Sequence, residues 1–218
     1  MDERGIGLGR SLAYGALAGL LAVLAASGYL WYRASQEPRS AGIDDVILVL
    51  ALPDEEGVVL PRVIVRVREG ESESVDPLSE ARIPGTSYNV LREAYPFSGA
   101  DGLASALAGD NEVRPSYVLI DEQAWDELAS GDSLEIDIPE QIDVFDGERL
   151  YTFREGEQRI RSDQFDKLLN GADYLNEADR ASVREQIGAA LLEMIAGRGI
   201  DAAETDLTAE EIDAWLAR

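Results

Sequence analysis

Residues 11–32 read SLAYGALAGLLAVLAASGYLWY, carry no charge and are closed by Arg33. At about 1.5 Å rise per residue such a run spans roughly 33 Å as a helix, enough to cross a hydrocarbon core of about 30 Å. Trp31 and Tyr32 then fall at the interface, where amphipathic rings settle. A buried core helix fits poorly, because the run has almost no polar face. A cleaved signal peptide is the other option, with Ala25 and Ser27 as small residues before a cut at Gly28. The run continues past that point into an aromatic pair and a basic residue, which favours a retained single-pass anchor. Gly15 and Gly19 form a GxxxG pattern through which two anchors could pack.

The anchor divides the chain into a tail (1–10), a span (11–32), a polar linker (33–43) with Pro38 and Gly42, and a domain (44–218) large enough for one sizeable core. Arg4 and Arg10 precede the span and Arg33 and Arg39 follow it, so basic residues do not orient it. The short tail is expected in the cytoplasm. The bulk of the chain is then extracytoplasmic, at the cell membrane. The chain has 43 acidic and 19 basic residues, a formal charge of −24. A domain this acidic is repelled by nucleic acid and by anionic headgroups, so no nucleic-acid partner is expected. Cysteine and histidine are both absent. That excludes disulfides, Cys-based zinc sites, thiol catalysis and Ser-His-Asp triads. Chemistry must come from Asp, Glu, Arg, Tyr, Ser or Thr, or from a metal held by oxygen.

Hydrophobic periodicity predicts an α/β domain. A continuous apolar run, 46–52, reads as a strand buried on both faces. The next strand, 58–67, contains Pro61, which requires an edge position or a bulge. The acidic stretch 69–82 reads as a surface loop. Helices are expected from Thr86 or Ser87 toward Tyr95, at 100–108 and at 122–129, and strands at 117–121, 134–138 and 149–153. The last third is helical: 162–169, 177–196, and a segment opened by the capping-box pair Thr208 and Glu211 with Ile212, Trp215 and Leu216 on one face. Gly5, Gly7 and Gly9 lack the preceding strand that a phosphate loop needs. Asp143, Asp146 and Gly147 lack the alternating acids of a calcium loop and read as a turn.

The arginines carry more. Arg149, Arg154, Arg159 and Arg161 cluster after the Asp-Gly turn, and Arg180 and Arg184 lie one helical turn apart. Guanidinium groups pair planar oxyanions bidentately, so converging arginines can hold a phosphate or pyrophosphate. Paired with surface carboxylates, the same residues would contribute little.

From Asp44 to Trp215 the order of segments resembles the LytR-CpsA-Psr (LCP) family, enzymes that attach anionic polymers to bacterial cell walls. IDDVILVLAL resembles its first core strand and VVLPR its Pro-Arg-Asp strand. LREAYPFSGADGLASAL resembles its Ala-Tyr helix, and RPSYVLIDEQAWDELASGDSLEIDIP the strand-helix-strand that normally includes Gly-Gly-Val. FDGERLYTFRE is similar to its Asp-Gly turn and Arg strand, NEADRASVREQ to its arginine helix, and ETDLTAEEIDAWL to a Thr-Asp-Leu-Ser/Thr segment. The resemblance implies an LCP-like domain with a central mixed β-sheet flanked by helices, preceded by one transmembrane helix. It implies a phosphotransferase that moves a glycan from a polyprenyl-pyrophosphate carrier to a peptidoglycan acceptor, using Mg²⁺ or Mn²⁺. By motif position Asp45, Arg62 and Arg154 would be catalytic, with Asp45 the metal ligand. Arg154, Arg180, Arg184 and Gln186 would bind pyrophosphate. Three positions depart from the pattern: Val63 replaces the aspartate of Pro-Arg-Asp, Gly156 a second arginine, and Asp132 a glycine of Gly-Gly-Val. Losing a group from a preorganised charge clamp costs about 10²–10³ in rate. A binding or scaffold module that has lost chemistry is therefore the alternative, and a purely structural envelope protein a third.

Overall fold

The computed structural model describes residues 39–54, 56–80, 89–108, 113–200 and 203–217. The tail, the apolar run 11–32 and the start of the linker lie outside the described residues, as do Thr86 and Ser87. Among the described residues no helix is long and apolar enough to cross a membrane. Residues from Ser40 onward form one compact unit.

Strand β1 (Asp45–Pro53) is the spine. It pairs antiparallel with β2 (Val59–Arg68) on one side and parallel with β4 (Ser116–Ile120) on the other. Beyond β2 lies β3 (Glu71–Val75), and beyond β4 lies β9 (Glu204–Thr205), both antiparallel. The five-stranded order is β9-β4-β1-β2-β3, a mixed sheet with one parallel pair.

The continuous apolar character of β1 follows from helices on both faces. Val46, Leu48, Leu50 and Leu52 point to one side with Val63, Val65, Val118 and Ile120. There they meet α2 (Glu122–Ala129), α3 (Phe165–Ala172) and α4 (Glu177–Arg198) through Trp125, Phe165, Ile187 and Leu191. Ile47, Val49 and Ala51 face α1 (Tyr95–Ala108) through Ala100, Leu103 and Ala104. Helix α4 lies close on β2. A Cβ on Gly188 would fall 2.5 Å from Val65 Cγ2 and 3.5 Å from Val63 Cγ1, so only glycine fits there. Helix α5 (Ala209–Leu216) closes the chain on Trp215, and Thr208 and Glu211 make the expected capping box.

Small two-stranded pairs lie outside the main sheet. Strand β5 (Ser133–Ile138) pairs with β8 (Gly156–Arg161), and β6 (Ile142–Phe145) with β7 (Leu150–Phe153).

Three expectations need correction. The stretch 69–82 is not all loop: Glu71–Val75 is an edge strand joined to β2 by a tight turn, with Glu69 at φ 53° and Gly70 at φ 87°. Two positive φ values in a two-residue hairpin are the signature of a type I′ turn. The charged sequence ESESV hid the strand, because an edge strand can carry polar side chains that discourage pairing with another sheet. Strands β6 and β8 were not expected either; GEQRIR and IDVF are short and half polar. The helix expected to run toward Tyr95 is, among the described residues, a 3₁₀ turn at Leu91–Ala94 leading into α1, which kinks at Gly99, where φ is 61° and ψ −154°.

Candidate functional site

The register of the sheet locates the site. Leu50 pairs with Val63 and Ala51 with Pro61, so Arg62 is the extra residue of a β-bulge. Pro61 lacks an N–H to donate, which explains why the ladder slips there. A bulge re-aims its side chain out of the regular alternation. Here it leaves Arg62 only 3% exposed at the end of the sheet where β1 finishes.

Five segments of chain converge on that point. Arg62 Nη2 lies 3.3 Å from Asp173 Oδ2, on the turn that follows α3. Arg92, in a 3₁₀ turn at Leu91–Ala94, lies 3.6 Å from the same oxygen. Its backbone N–H donates to Pro77 O at 2.8 Å, which ties that turn to the segment after β3. Asp76 follows β3 directly and accepts from Arg180 Nη2 at 2.8 Å and Nε at 3.1 Å, and from the Leu78 N–H at 2.9 Å. Arg184, one turn further along α4 and 2% exposed, donates to both Asp76 and Asp173. The two aspartates thus hold four guanidinium groups, an excess of two positive charges in a domain that is otherwise strongly acidic.

The electrostatics are those of a buried charge cluster. Burial pushes the ionisation of Arg62 and Arg184 down, and Asp173 works against it for both, joined by Asp76 for Arg184. Burial also pushes Asp76 up, yet hydrogen bonds from Arg180 and the Leu78 N–H, with the charges of Arg184 and Arg180, hold its carboxyl below the usual carboxylate range. Among the described residues two buried nitrogens are left without a hydrogen-bond partner: Arg62 Nη2, which is within ion-pair range of Asp173 but not in hydrogen-bond geometry, and Arg184 Nε. An unmatched buried donor of a charged group is costly, and an oxyanion entering the cluster would relieve it.

The cluster opens into a cleft of about 320 Å³. Arg62, Arg92, Asp173, Asp54 and Glu56 supply its charged lining, Asn170 and Tyr174 its neutral polar groups, and Leu60 and Leu78 its aliphatic members. Asp54 is fixed by a turn in which its Oδ1 accepts the N–H groups of Glu56 and Val58, both at 2.9 Å.

Of the residues singled out from sequence, Arg62, Arg180 and Arg184 are brought together. Asp45, Arg154 and Gln186 are placed elsewhere. Asp45 pairs with Arg66, Oδ1 accepting from Nε at 2.7 Å. Its register partner is Arg68, whereas the residue opposite Pro61 is Ala51, six positions further along β1. At about 3.3 Å per residue Asp45 is roughly 20 Å from the bulge. Arg154 is exposed and makes no ion pair among the described residues. Gln186 is a splint: its Oε1 accepts the Asp137 N–H at 2.8 Å and its Nε2 donates to Asp137 O at 3.0 Å, binding α4 to β5. Asp76, Asp173 and Arg92 were missed. Asp76 sat in apparent loop, and neither Asp173 nor Arg92 carries a local pattern that separates it from the other charges of an acidic chain.

Among the described residues no group of three or more carboxylates is arranged to hold a metal ion. Asp45, tied to Arg66, does not fit that role. Asp54 and Glu56 on the cleft wall fit the more modest arrangement in which one or two carboxylates share Mg²⁺ with substrate phosphates.

No family model matches the sequence. No curated protein matches it either. Solved structures do match the fold. A LytR-Csp2A-Psr enzyme from Actinomyces oris superposes with a TM-score of 0.55 at 15% identity, over 84% of this chain and 81% of that one. TagV of B. subtilis gives a TM-score of 0.52 at 14% identity, over 80% of this chain and 78% of that one. A structure described as TagT bound to LI-WTA gives 0.51 at 13% identity, over 80% and 74%. The domain therefore has the LCP fold, in a sequence that has diverged far from these examples.

Proposed function

We propose that this chain is a membrane-anchored LCP-fold protein of the bacterial envelope whose arginine cleft takes the pyrophosphate of a polyprenyl-pyrophosphate-linked cell-wall glycan. The observation that carries this reading is the pair of buried guanidinium groups, Arg62 and Arg184, whose unpartnered nitrogens need an oxyanion. Arg92 lines the same cleft, and Arg180 joins the cluster through Asp76. The run 11–32 would hold the domain at the outer membrane surface, where such a carrier is met.

As a phosphotransferase the protein would position the sugar-side phosphorus for attack by a peptidoglycan hydroxyl. The new P–O bond forms as the bridging P–O–P bond breaks, polyprenyl phosphate leaves, and the hydroxyl proton passes to a carboxylate or water. Arg62 and Arg184 would stabilise the charge that builds on the leaving phosphate, an effect strongest in a site shielded from water. Mg²⁺ or Mn²⁺, held by Asp54 and Glu56 with the phosphates, would supply further charge neutralisation.

One observation favours the second reading, a binding or scaffold module without transfer. Asp45 is committed to Arg66 and Arg154 stands apart from the cluster, so two of the three groups that the resemblance makes catalytic are not at the cleft. Full-length protein incubated with a polyprenyl-pyrophosphate glycan, peptidoglycan and Mg²⁺ or Mn²⁺ separates the two. Transfer that disappears in Arg184→Met supports the enzyme; Arg62-dependent binding without product supports the module. Absence of pyrophosphate binding would defeat both.

A further inference from the structure

Asp173 is the first residue past α3, where a carboxylate is out of place. The C-terminal end of a helix carries partial negative charge and favours cations. The arginine cluster compensates for this. Asp173 Oδ1 accepts from Arg184, while Oδ2 lies 3.3 Å from Arg62 Nη2 and 3.6 Å from Arg92 Nη1. The Oδ2 contacts are charge pairings without hydrogen bonds. Arg62 Nη2 is one of the buried donors that lack a partner among the described residues, and 3.6 Å is beyond hydrogen-bond reach. One oxygen thus sits between two guanidinium groups and satisfies neither. Asp173, Arg62 and Arg92 all line the cleft. Asp76 is held differently: Arg180 and the Leu78 N–H bond it as well as Arg184, and it lies outside the cleft lining.

We infer that Asp173 is a specificity-determining residue, a tethered carboxylate that fills the cleft at rest and yields to an anion able to hydrogen-bond Arg62 and Arg92 together. This rests on the reading of the cleft as a phosphate site. Two donors this close to one oxygen are within reach of a single tetrahedral phosphate, which has several oxygens to offer. Such an anion makes two charge-assisted bonds where Asp173 Oδ2 makes none, so the exchange favours it. A free carboxylate gains less. It replaces one carboxylate by another, against a competitor tethered at an effective concentration on the order of millimolar or more. Only the side chain has to move, because the Asp173 backbone N–H donates to Leu169 O at 3.3 Å. The side chain is 18% exposed, which gives it water to turn into, and Arg184 keeps Asp76 when Asp173 leaves. If Asp173 stayed, its charge would repel the incoming phosphate at close range. In a chain with 43 acidic residues, an arginine cleft without this occupant would take up carboxylates of neighbouring copies.

The test is calorimetric titration of the full chain in detergent with sodium pyrophosphate, without divalent cations. Asp173→Asn should bind pyrophosphate about 10–100-fold more tightly than the wild type, the gain expected when a charge-assisted contact no longer has to be displaced. Acetate should compete with pyrophosphate on Asp173→Asn and not on the wild type. Asp173→Glu keeps the charge and should stay within about threefold of the wild type. Asp54→Asn removes the same charge from the same cleft, but from a carboxylate that makes no ion pair among the described residues; it should gain about fivefold at most. The inference is overturned if Asp173→Asn gains no more than Asp54→Asn. Should Asp173→Asn fail to fold, a structure of the wild type with pyrophosphate decides. Asp173 turned away from Arg62 and Arg92 supports the inference, and Asp173 still within ion-pair distance of both overturns it. If neither the wild type nor Asp173→Asn binds pyrophosphate, the arginine-cleft reading falls first and this inference with it; binding by the wild type without a gain in the variant overturns the inference alone.

Discussion

Asp76→Asn tests the charge cluster most directly, because it keeps the shape of the side chain and removes only its charge. Asp76 neutralises Arg180 and shares Arg184 with Asp173. Arg184 has a side chain 3% exposed and cannot turn to water; Arg180, at 14%, can in part, and it already donates to Leu175 O at 3.3 Å. Removing one partner of a buried ion pair costs about 3–5 kcal/mol. Since Arg184 keeps Asp173, the lower end applies, about 3 kcal/mol. For a domain of this size that lowers Tm by roughly 6–12 °C, at about 2–4 °C per kcal/mol. Scanning calorimetry at pH 7 measures the shift.

Two further readouts separate this reasoning from a simple packing defect. Asp76 has its folded carboxyl held below the ordinary range, so its contribution is complete above the unfolded value near 3.9 and is lost as pH falls through the folded one. Wild-type stability should therefore drop in that acidic window by more than that of Asp76→Asn. Pyrophosphate should also raise the Tm of the variant by more than that of the wild type, because the substitution frees guanidinium donors that an anion can engage. A Tm change below about 2 °C, or equal stabilisation of both proteins by pyrophosphate, would refute the argument.

Other outcomes follow from the same geometry. Arg62→Met should weaken pyrophosphate binding about 10–100-fold in a titration, the loss expected of one or two charge-assisted hydrogen bonds, while Asp45→Asn should leave that affinity unchanged. Gly188→Ala should cost about 1–3 kcal/mol in urea unfolding through its overlap with Val65 Cγ2, and Val65→Ala in the same chain should recover part of it. Gln186→Ala should lower stability by about 1–2 kcal/mol without changing pyrophosphate affinity, since among the described residues the side chain bonds backbone and Ser182.

The apolar spine of the fold was plain in the residues. VILVLAL has no polar face, and a strand covered by helices on both sides needs none. Helix α4 was legible from Val183, Ile187 and Leu191, and Pro61 left an edge position or a bulge open, of which the register shows the bulge that aims Arg62. What escaped was whatever depends on where an element sits. Glu71–Val75 looked like loop because an edge strand can afford a polar surface. Asp45 looked like a site residue because it leads the right strand, but the cleft lies at the other end of that strand. Register, set by pairings between distant segments, decides which end counts. Asp173 gave no local signal at all: its importance comes from facing Arg62, Arg92 and Arg184, which reach it from three other parts of the chain.

The span between Arg62 and Arg184 has a consequence for how the protein matures. A nascent chain that has not yet released α4 lacks the two guanidinium groups that neutralise Asp76, so its half-built cluster has lost the positive excess that attracts an anion. Ligand capture and completion of the native topology then become a single event. A shortened product ending before Arg180 would lack both of those guanidinium groups and the last strand of the sheet, β9.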